Sequence, residues 1–234
     1  MHSAGLDPQV PEALSRRFDG PHSDVWLIAN NLKLRRFPLR DLPLTADSLL
    51  IQFNRARFFE SFAGLDCHKD FVFAGKPGGY HGFEQGVPAQ PLQRQAFRSL
   101  RLTLIGSDGE ASPEALAAAV PDAAVREVPR AAMRLRGYPT GLVASSGFVV
   151  LQIHAALEAA RARAGQARRP IHLVGFTGFA RAAWHGHDWW AEQRWLREAP
   201  VTLHARDARD SLHALRGLRW WLHHLKASRR GLRP

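Results

Sequence analysis

The sequence predicts an α/β protein: a single Rossmann-like domain with a mostly parallel sheet flanked by helices. Three observations carry this. Short runs rich in Val, Ile, Leu and Phe recur along the chain, and several are apolar throughout, as strands covered on both faces are. Segments with helical spacing lie between them, and strand alternating with helix leads to a parallel sheet. The 234 residues, 45% of them hydrophobic, suffice for one sizeable core but are few for two full domains.

The elements follow in order. Residues 1–22 hold Pro8, Pro11 and Pro21 with little periodicity and read as a flexible N-terminal arm. Residues 23–210 form the α/β domain, with strands expected at Val25 to Ala29, Ser48 to Phe53, Asp70 to Ala74, Leu100 to Ile105, Leu142 to Ala144, Ile171 to Phe176 and Val201 to His204. Ser112 reads as the N-cap of a helix with Pro113 at its first position, running to about Val120. Phe148 to Ala164 is the clearest helix: Val149, Val150, Ile153, Ala156, Leu157 and Ala160 share a stripe, and Arg161 and Arg163 complement the dipole at its end. Asp188 reads as the N-cap of a further helix carrying Trp190, Glu192, Arg194 and Leu196. The Gly- and Pro-rich stretch from Lys76 to Pro91 is expected as a long loop, a candidate lid. Residues 211–234 read as a basic amphipathic helix and tail, with Leu212, Leu215, Leu218, Leu222 and Leu225 on one stripe among Arg216, Arg219, Lys226, Arg229 and Arg230.

Charge and cysteine usage narrow the classes. A net charge of +11 favours anionic partners: phosphates, nucleic acid or a lipid surface. No apolar run approaches the ~20 residues of a membrane-spanning helix, and the first residues lack an apolar signal core. Cys67 is the single cysteine, which excludes an intramolecular disulfide. A cytoplasmic location is expected, and the C-terminal helix has two readings: packing against the sheet, or peripheral docking on an anionic inner-membrane surface. Cys67 reads as a packing residue, since no nucleophile motif surrounds it.

Polar clusters stand where strand-like runs end: Asn30 and Asn31 after VWLIA, Asn54 after SLLIQF, and Ser145, Ser146 and Gly147 after GLVA. Ligands of open α/β sheets bind at the carboxyl ends of strands, so these amides and hydroxyls are candidate nucleotide contacts. The Ser-Ser-Gly step opens the clearest helix, where unpaired N–H groups and the positive dipole end suit an anion. His187 stands just before a helix start, a position that favours the neutral imidazole required of a general base. His185, two residues away, is a candidate phosphate contact.

The run LIANNLKLRRFPLRDLPLTADSLLIQFNRARFFESF resembles the opening nucleotide motif of the bacterial sialyltransferases of glycosyltransferase family 42 and, more remotely, the large sialyl motif of family 29. ASSGFVVLQIHAAL followed by IHLVGF resembles the small sialyl motif, and the spacing from His187 to Glu192 matches the short histidine motif that ends the family 29 pattern. The resemblance covers residues 24–60 and 139–205. It implies a GT-A-variant fold in which Asn30 and Asn54, assisted by Asn31, hold the cytidine monophosphate (CMP) part of a donor. Ser145, Ser146 and Gly147 then bind its ribose, carboxylate or phosphate, and His187 deprotonates the acceptor hydroxyl. It further implies transfer with inversion of a CMP-activated ulosonic acid, sialic acid or Kdo (3-deoxy-manno-octulosonic acid), to a glycan or lipooligosaccharide acceptor, with no bound metal or other cofactor. The chain departs from the pattern in having Ala29 where the usual pair begins with glycine, and in lacking the tyrosines that steady the leaving phosphate. Arg181, His185 and Tyr138 are the candidates for that role.

Two readings from other classes stay open. His185-x-His187-Asp188 is part of a metallo-hydrolase motif whose second half is missing, and the basic balance with seven tryptophans suggests a non-enzymatic nucleic-acid-binding protein. No nucleic-acid motif is present, so no nucleic-acid partner is expected.

Overall fold

The structure, a computed structural model, describes residues 10–30, 34, 37–92, 95–107, 113–133, 135, 138, 142–176, 187 and 189–204. Its strands are β1 (Asp24–Ile28), β2 (Ser48–Phe53), β3 (His68–Lys76), β4 (Gly79–Tyr80), β5 (Phe83–Glu84), β6 (Val87–Pro88), β7 (Ser99–Ser107), β8 (Ala123–Pro129), β9 (Ile171–Val174) and β10 (Thr202–His204). Seven of them pair in parallel in the order β10-β9-β1-β2-β3-β7-β8. The short β4 pairs antiparallel with the end of β3, and β5 with β6 makes a separate hairpin. Helices α1 (Glu12–Arg16), α2 (Pro113–Ala119), α3 (Ser146–Arg163) and α4 (Trp189–Glu198) complete the α/β architecture. The expected Rossmann-like fold is observed.

The apolar runs become central strands because both faces of the sheet are covered. Every residue of β2 is buried. Val25, Leu27, Leu49, Ile51, Phe53, Ile171 and Leu173 pack beneath α3, while Trp26, Ile28, Leu50 and Val174 face Phe58, Phe62 and Cys67 on the other side. Toward the far edge, Phe71, Phe73, Leu102 and Leu104 pack with Leu116 and Val120 of the α2 region. Burying each such side chain contributes roughly 1.5–3 kcal/mol. Cys67 is fully buried and its thiol is pushed up to about 11 by burial, in keeping with a packing role.

From β1 the chain winds outward through β2, β3, β7 and β8, then returns through α3 to β9 on the other side of β1. The strand order therefore reverses between β1 and β9. Their carboxyl ends flank the crevice where open α/β sheets take ligands, and α3, antiparallel to β9, brings its N-terminus to the same edge.

Three expectations are corrected, and one strand stands where none was expected. Residues 10–22 are not a flexible arm: Val10, Leu14 and Phe18, spaced by four, form a short helical stripe around α1 that packs on α3, with Val10 and Phe18 buried. Leu142 to Ala144 is not a strand; it has no ladder partner among the described residues, and Ala144 is instead buried in the α3 core. The long loop at 76–91 is built from β4, β5 and β6. The strand β8 lacks the continuous apolar run that marks the others, because Arg126 and Glu127 interrupt it at the sheet edge. Ser112 and residues 205–234, including the expected C-terminal helix, lie outside the described residues. Among the described residues no helix is long and apolar enough to cross a membrane.

Candidate functional site

The turn after β2 shows how the strand ends are held. Phe53 O accepts from Ala56 N at 2.9 Å and from Asn30 Nδ2 at 2.7 Å, and Asn30 Oδ1 accepts from Arg57 N at 3.1 Å. Asn30, just beyond β1 and its flanking Ala29, thus stitches the carboxyl end of β1 to that of β2. Asn54 does the same from β2 to β3: its N–H donates to Val72 O at 2.7 Å and its Oδ1 accepts from Ala74 N at 2.9 Å. Asn54 and Ala56 have φ of 49° and 39°, the left-handed region that asparagine tolerates and alanine rarely adopts. The side-chain amides expected to grip a ligand therefore act first on the backbone. Among the described residues Asn54 Nδ2 and the second hydrogen of Asn30 Nδ2 carry no protein partner.

The glycine-rich segment closes on this turn. Gly82, at φ +88°, lies so near Asn54 that an added Cβ would stand 2.6 Å from its carbonyl carbon and oxygen. Gln90 Nε2 bonds Arg55 O, and His81 N donates to Ala74 O at 2.9 Å. Exposed Arg55, Arg57, Lys76 and His81 thereby ring the ends of β2 and β3, and none forms an ion pair with a carboxylate among the described residues. The His81 imidazole is held below its ordinary value, by burial first and then by Lys76 and Arg55.

The Ser-Ser-Gly step caps α3 in the way its sequence suggests: Ser145, extended at φ −63° and ψ 149°, accepts from Phe148 N through Oγ at 3.2 Å. Its other groups meet Glu192 of α4. The buried carboxylate of Glu192 accepts from Ser145 N at 2.7 Å, Ser145 Oγ at 2.7 Å and Tyr138 Oη at 2.9 Å. Ser145 is thus engaged by protein rather than open to ligand, which corrects its expected direct role. The N–H groups of Ser146 and Gly147 and the Ser146 hydroxyl have no partner among the described residues, as first-turn groups of a helix commonly lack one within the chain.

His187 joins the same edge. Its Nδ1 lies 2.7 Å from Val143 O, and since a carbonyl only accepts, Nδ1 carries the proton and Nε2 the lone pair of the neutral ring. Burial holds its imidazole below the ordinary value, with the Val143 carbonyl opposing. The ring is therefore neutral at neutral pH. Val143 stands two residues before Ser145, so histidine and glutamate of the 187–192 segment grip the same short stretch of chain.

Aromatic contacts bridge the two halves. The Phe176 ring, just past β9, lies against Gly147, where an added Cβ would come within 2.7 Å of it, and it meets the Phe53 ring edge-on at 6.2 Å between centroids. A continuous path of contact runs from Asn30 through Phe53 and Phe176 to Gly147, Ser145 and Glu192. Asn30, Asn54, Ser145, Ser146, Gly147 and His187 all stand at one carboxyl edge; no hydrogen bond joins His187 to either asparagine among the described residues. Asn31, His185, Arg181 and Asp188 lie outside the described residues.

Sequence reasoning misses Glu192 as an anchor, Phe176 and Gly82 as packing elements, and the basic ring of Arg55, Lys76 and His81. The histidine-to-glutamate spacing is the available signal for the first. Among the described residues no three or more His, Cys, Asp or Glu side chains are grouped to hold a metal. Comparison of the chain with protein-family models, with curated proteins and with solved structures found no match.

Proposed function

We propose that this protein is an inverting glycosyltransferase that moves a CMP-activated ulosonic acid, sialic acid or Kdo, onto a glycan or lipooligosaccharide acceptor. The observation that carries the reading is the anchoring of His187 and Glu192 on the Val143–Ser145 stretch, at the edge where Asn30 and Asn54 end β1 and β2. In this reading the histidine motif and the small sialyl motif are parts of one site rather than separate likenesses.

His187 Nε2 takes the proton of the acceptor hydroxyl as that oxygen attacks the anomeric carbon from the face opposite the leaving group. The bond from that carbon to the phosphate oxygen breaks, and CMP departs with the electron pair. A buried, neutral imidazole whose Nδ1–H is fixed by a carbonyl suits this task, because orientation and protonation state are set before substrate arrives. Glu192 is a positioning residue: it holds the Ser145 turn and the helix that follows His187 in one arrangement.

Glu192 also brings negative charge to the N-terminus of α3, which weakens that end as an anion site. The charge of the leaving phosphate therefore falls to the cations around β2 and β3, Arg55, Arg57 and Lys76, with the neutral His81 beside them as a hydrogen-bond donor, while Ser146 and Gly147 N–H groups suit uncharged oxygens of the donor. Reaction without a bound metal, and attachment of the 211–234 segment to an anionic inner-membrane surface on the cytoplasmic side, belong to the same proposal.

The test is release of CMP from CMP-sialic acid and CMP-Kdo in the presence of lipooligosaccharide, followed by chromatography. The reading expects turnover of one donor that His187→Ala abolishes. Absence of turnover with both donors across a panel of glycan acceptors would remove the assignment.

A further inference from the structure

Away from the candidate site, a second set of groups gathers beneath α3 toward the amino ends of the strands. His22, just before β1, is 5% exposed, and His154 in the middle of α3 is fully buried. His22 Nε2, both ring nitrogens of His154 and Arg169 Nη2 are buried without a hydrogen-bond partner among the described residues. The two rings meet nearly edge to face, with centroids 6.3 Å apart. Arg101 closes the group: its Nη2 and Nη1 would stand 2.7 and 3.1 Å from a Cβ on Gly20, and His22 Nδ1 3.2 Å from the same point. Among the described residues its guanidinium finds only the Asp19 carbonyl, at 3.4 Å.

The rest of the neighbourhood is paired. Arg126 binds Asp70 and Thr103 and lies over the Phe18 ring, and Arg169 binds Glu158 through Nε at 2.7 Å and Asp19 through Nη1 at 3.0 Å. Arg161 shares Glu158 and Asp19. Arg101, Arg126, Arg161 and Arg169 thus stand against Asp19, Asp70 and Glu158, one positive charge in excess, with Arg101 the guanidinium lacking a carboxylate. A buried donor left unpaired is costly, and here several occur together, while the buried unpaired oxygen of Gln52 belongs to the opposite face with Ile28.

We infer that His22, His154, Arg101 and Arg169 bind a monatomic anion of the chloride type, held between the two imidazole rings and the two guanidinium groups. A water molecule would satisfy donors but leave the excess charge; a single anion satisfies both. Burial, followed by Arg169, Arg101 and His68, drives the His22 imidazole down to about 3, so at neutral pH the ring is uncharged and offers one N–H to the anion. The bound ion ties the segment carrying α1 and His22 to α3 and to β7, and it does so at the end of the sheet opposite the candidate site.

The direct test is anomalous diffraction at the bromine edge from crystals of the full chain exchanged into sodium bromide. A peak within hydrogen-bonding distance of His22 and Arg169 is expected; an empty position there, or density with no anomalous signal, would overturn the inference. In solution, replacing sodium gluconate by sodium chloride at constant ionic strength is expected to raise the melting temperature of the wild type and leave that of His22→Phe unmoved. Equal shifts in the two proteins would overturn it as well, and if His22→Phe does not fold the diffraction result decides alone.

Discussion

The carboxylate of Glu192 takes hydrogen bonds from both the backbone N–H and the hydroxyl of Ser145, at 2.7 Å each. The pairing spans 47 residues of sequence and fixes α4 against the N-terminus of α3, with Tyr138 Oη as a third donor. Glu192→Ala removes the shared acceptor of three part-buried donors, so a loss of about 1–3 kcal/mol is expected in denaturant unfolding. Tyr138→Phe removes one donor and leaves the carboxylate two; its loss is expected to be smaller, about 1 kcal/mol.

His187→Ala is expected to lower transfer by roughly 10²–10⁴-fold while CMP affinity stays within about twofold of wild type. Because burial lowers the His187 imidazole from its ordinary value of 6.5, the acid limb of the pH–rate profile falls below that pH. Rate measured from pH 4 to 8 checks it: more than half of the full activity is expected at pH 6.5, with the remainder lost further down as the imidazole gains its proton.

Asn54 combines a left-handed φ of 49° with a bond from Ala74 N to its Oδ1. Asn54→Gly keeps the backbone conformation and loses the bond, whereas Asn54→Ala loses both. Equilibrium unfolding is expected to rank wild type above Asn54→Gly above Asn54→Ala, the last down by about 1–3 kcal/mol from strain alone.

Gly82→Val forces a side chain into the carbonyl of Asn54 at φ +88°. Displacement of the 76–91 segment from the β2 turn is expected, and with it faster proteolysis at Lys76 and Arg55, readable by mass spectrometry of the fragments.

Acid stability follows from His22. Its folded value is about 3 and its unfolded value 6.5, so between those limits the unfolded chain binds more protons and stability falls as pH falls. The fully buried His154, lowered well below its ordinary value mainly by burial, acts in the same direction. Denaturant unfolding between pH 7 and 4 is expected to give a shallower loss in His154→Phe than in the wild type.

Much of this is legible in the residues. The run SLLIQF has apolar residues on both faces, Leu49, Leu50, Ile51 and Phe53, and forms a buried central strand with the expected bounds, because a parallel sheet covered on both faces asks for that composition. Ser145 before Gly147 and Phe148 marks the start of α3 for the same local reason that makes serine a cap. What local pattern cannot carry is tertiary in origin. The bonds of Asn30 to Phe53 and Arg57 depend on β2 lying beside β1, and the pairing of Glu192 with Ser145 depends on where α4 docks. Val10, Leu14 and Phe18 are hidden by the prolines around them, and His154 and Arg169 are buried only because α3 is covered by α1 as well as by the sheet.

The central claim is that the carboxyl edge of β1, β2 and β9 binds a cytidine nucleotide. Calorimetric titration of the full chain with CMP, UMP, AMP and GMP measures it directly. Saturable, one-to-one binding of CMP is expected, weakened in Asn54→Ala, with the other three nucleotides bound at least tenfold more weakly. Equal affinity for all four, or heat of binding for none, would contradict it.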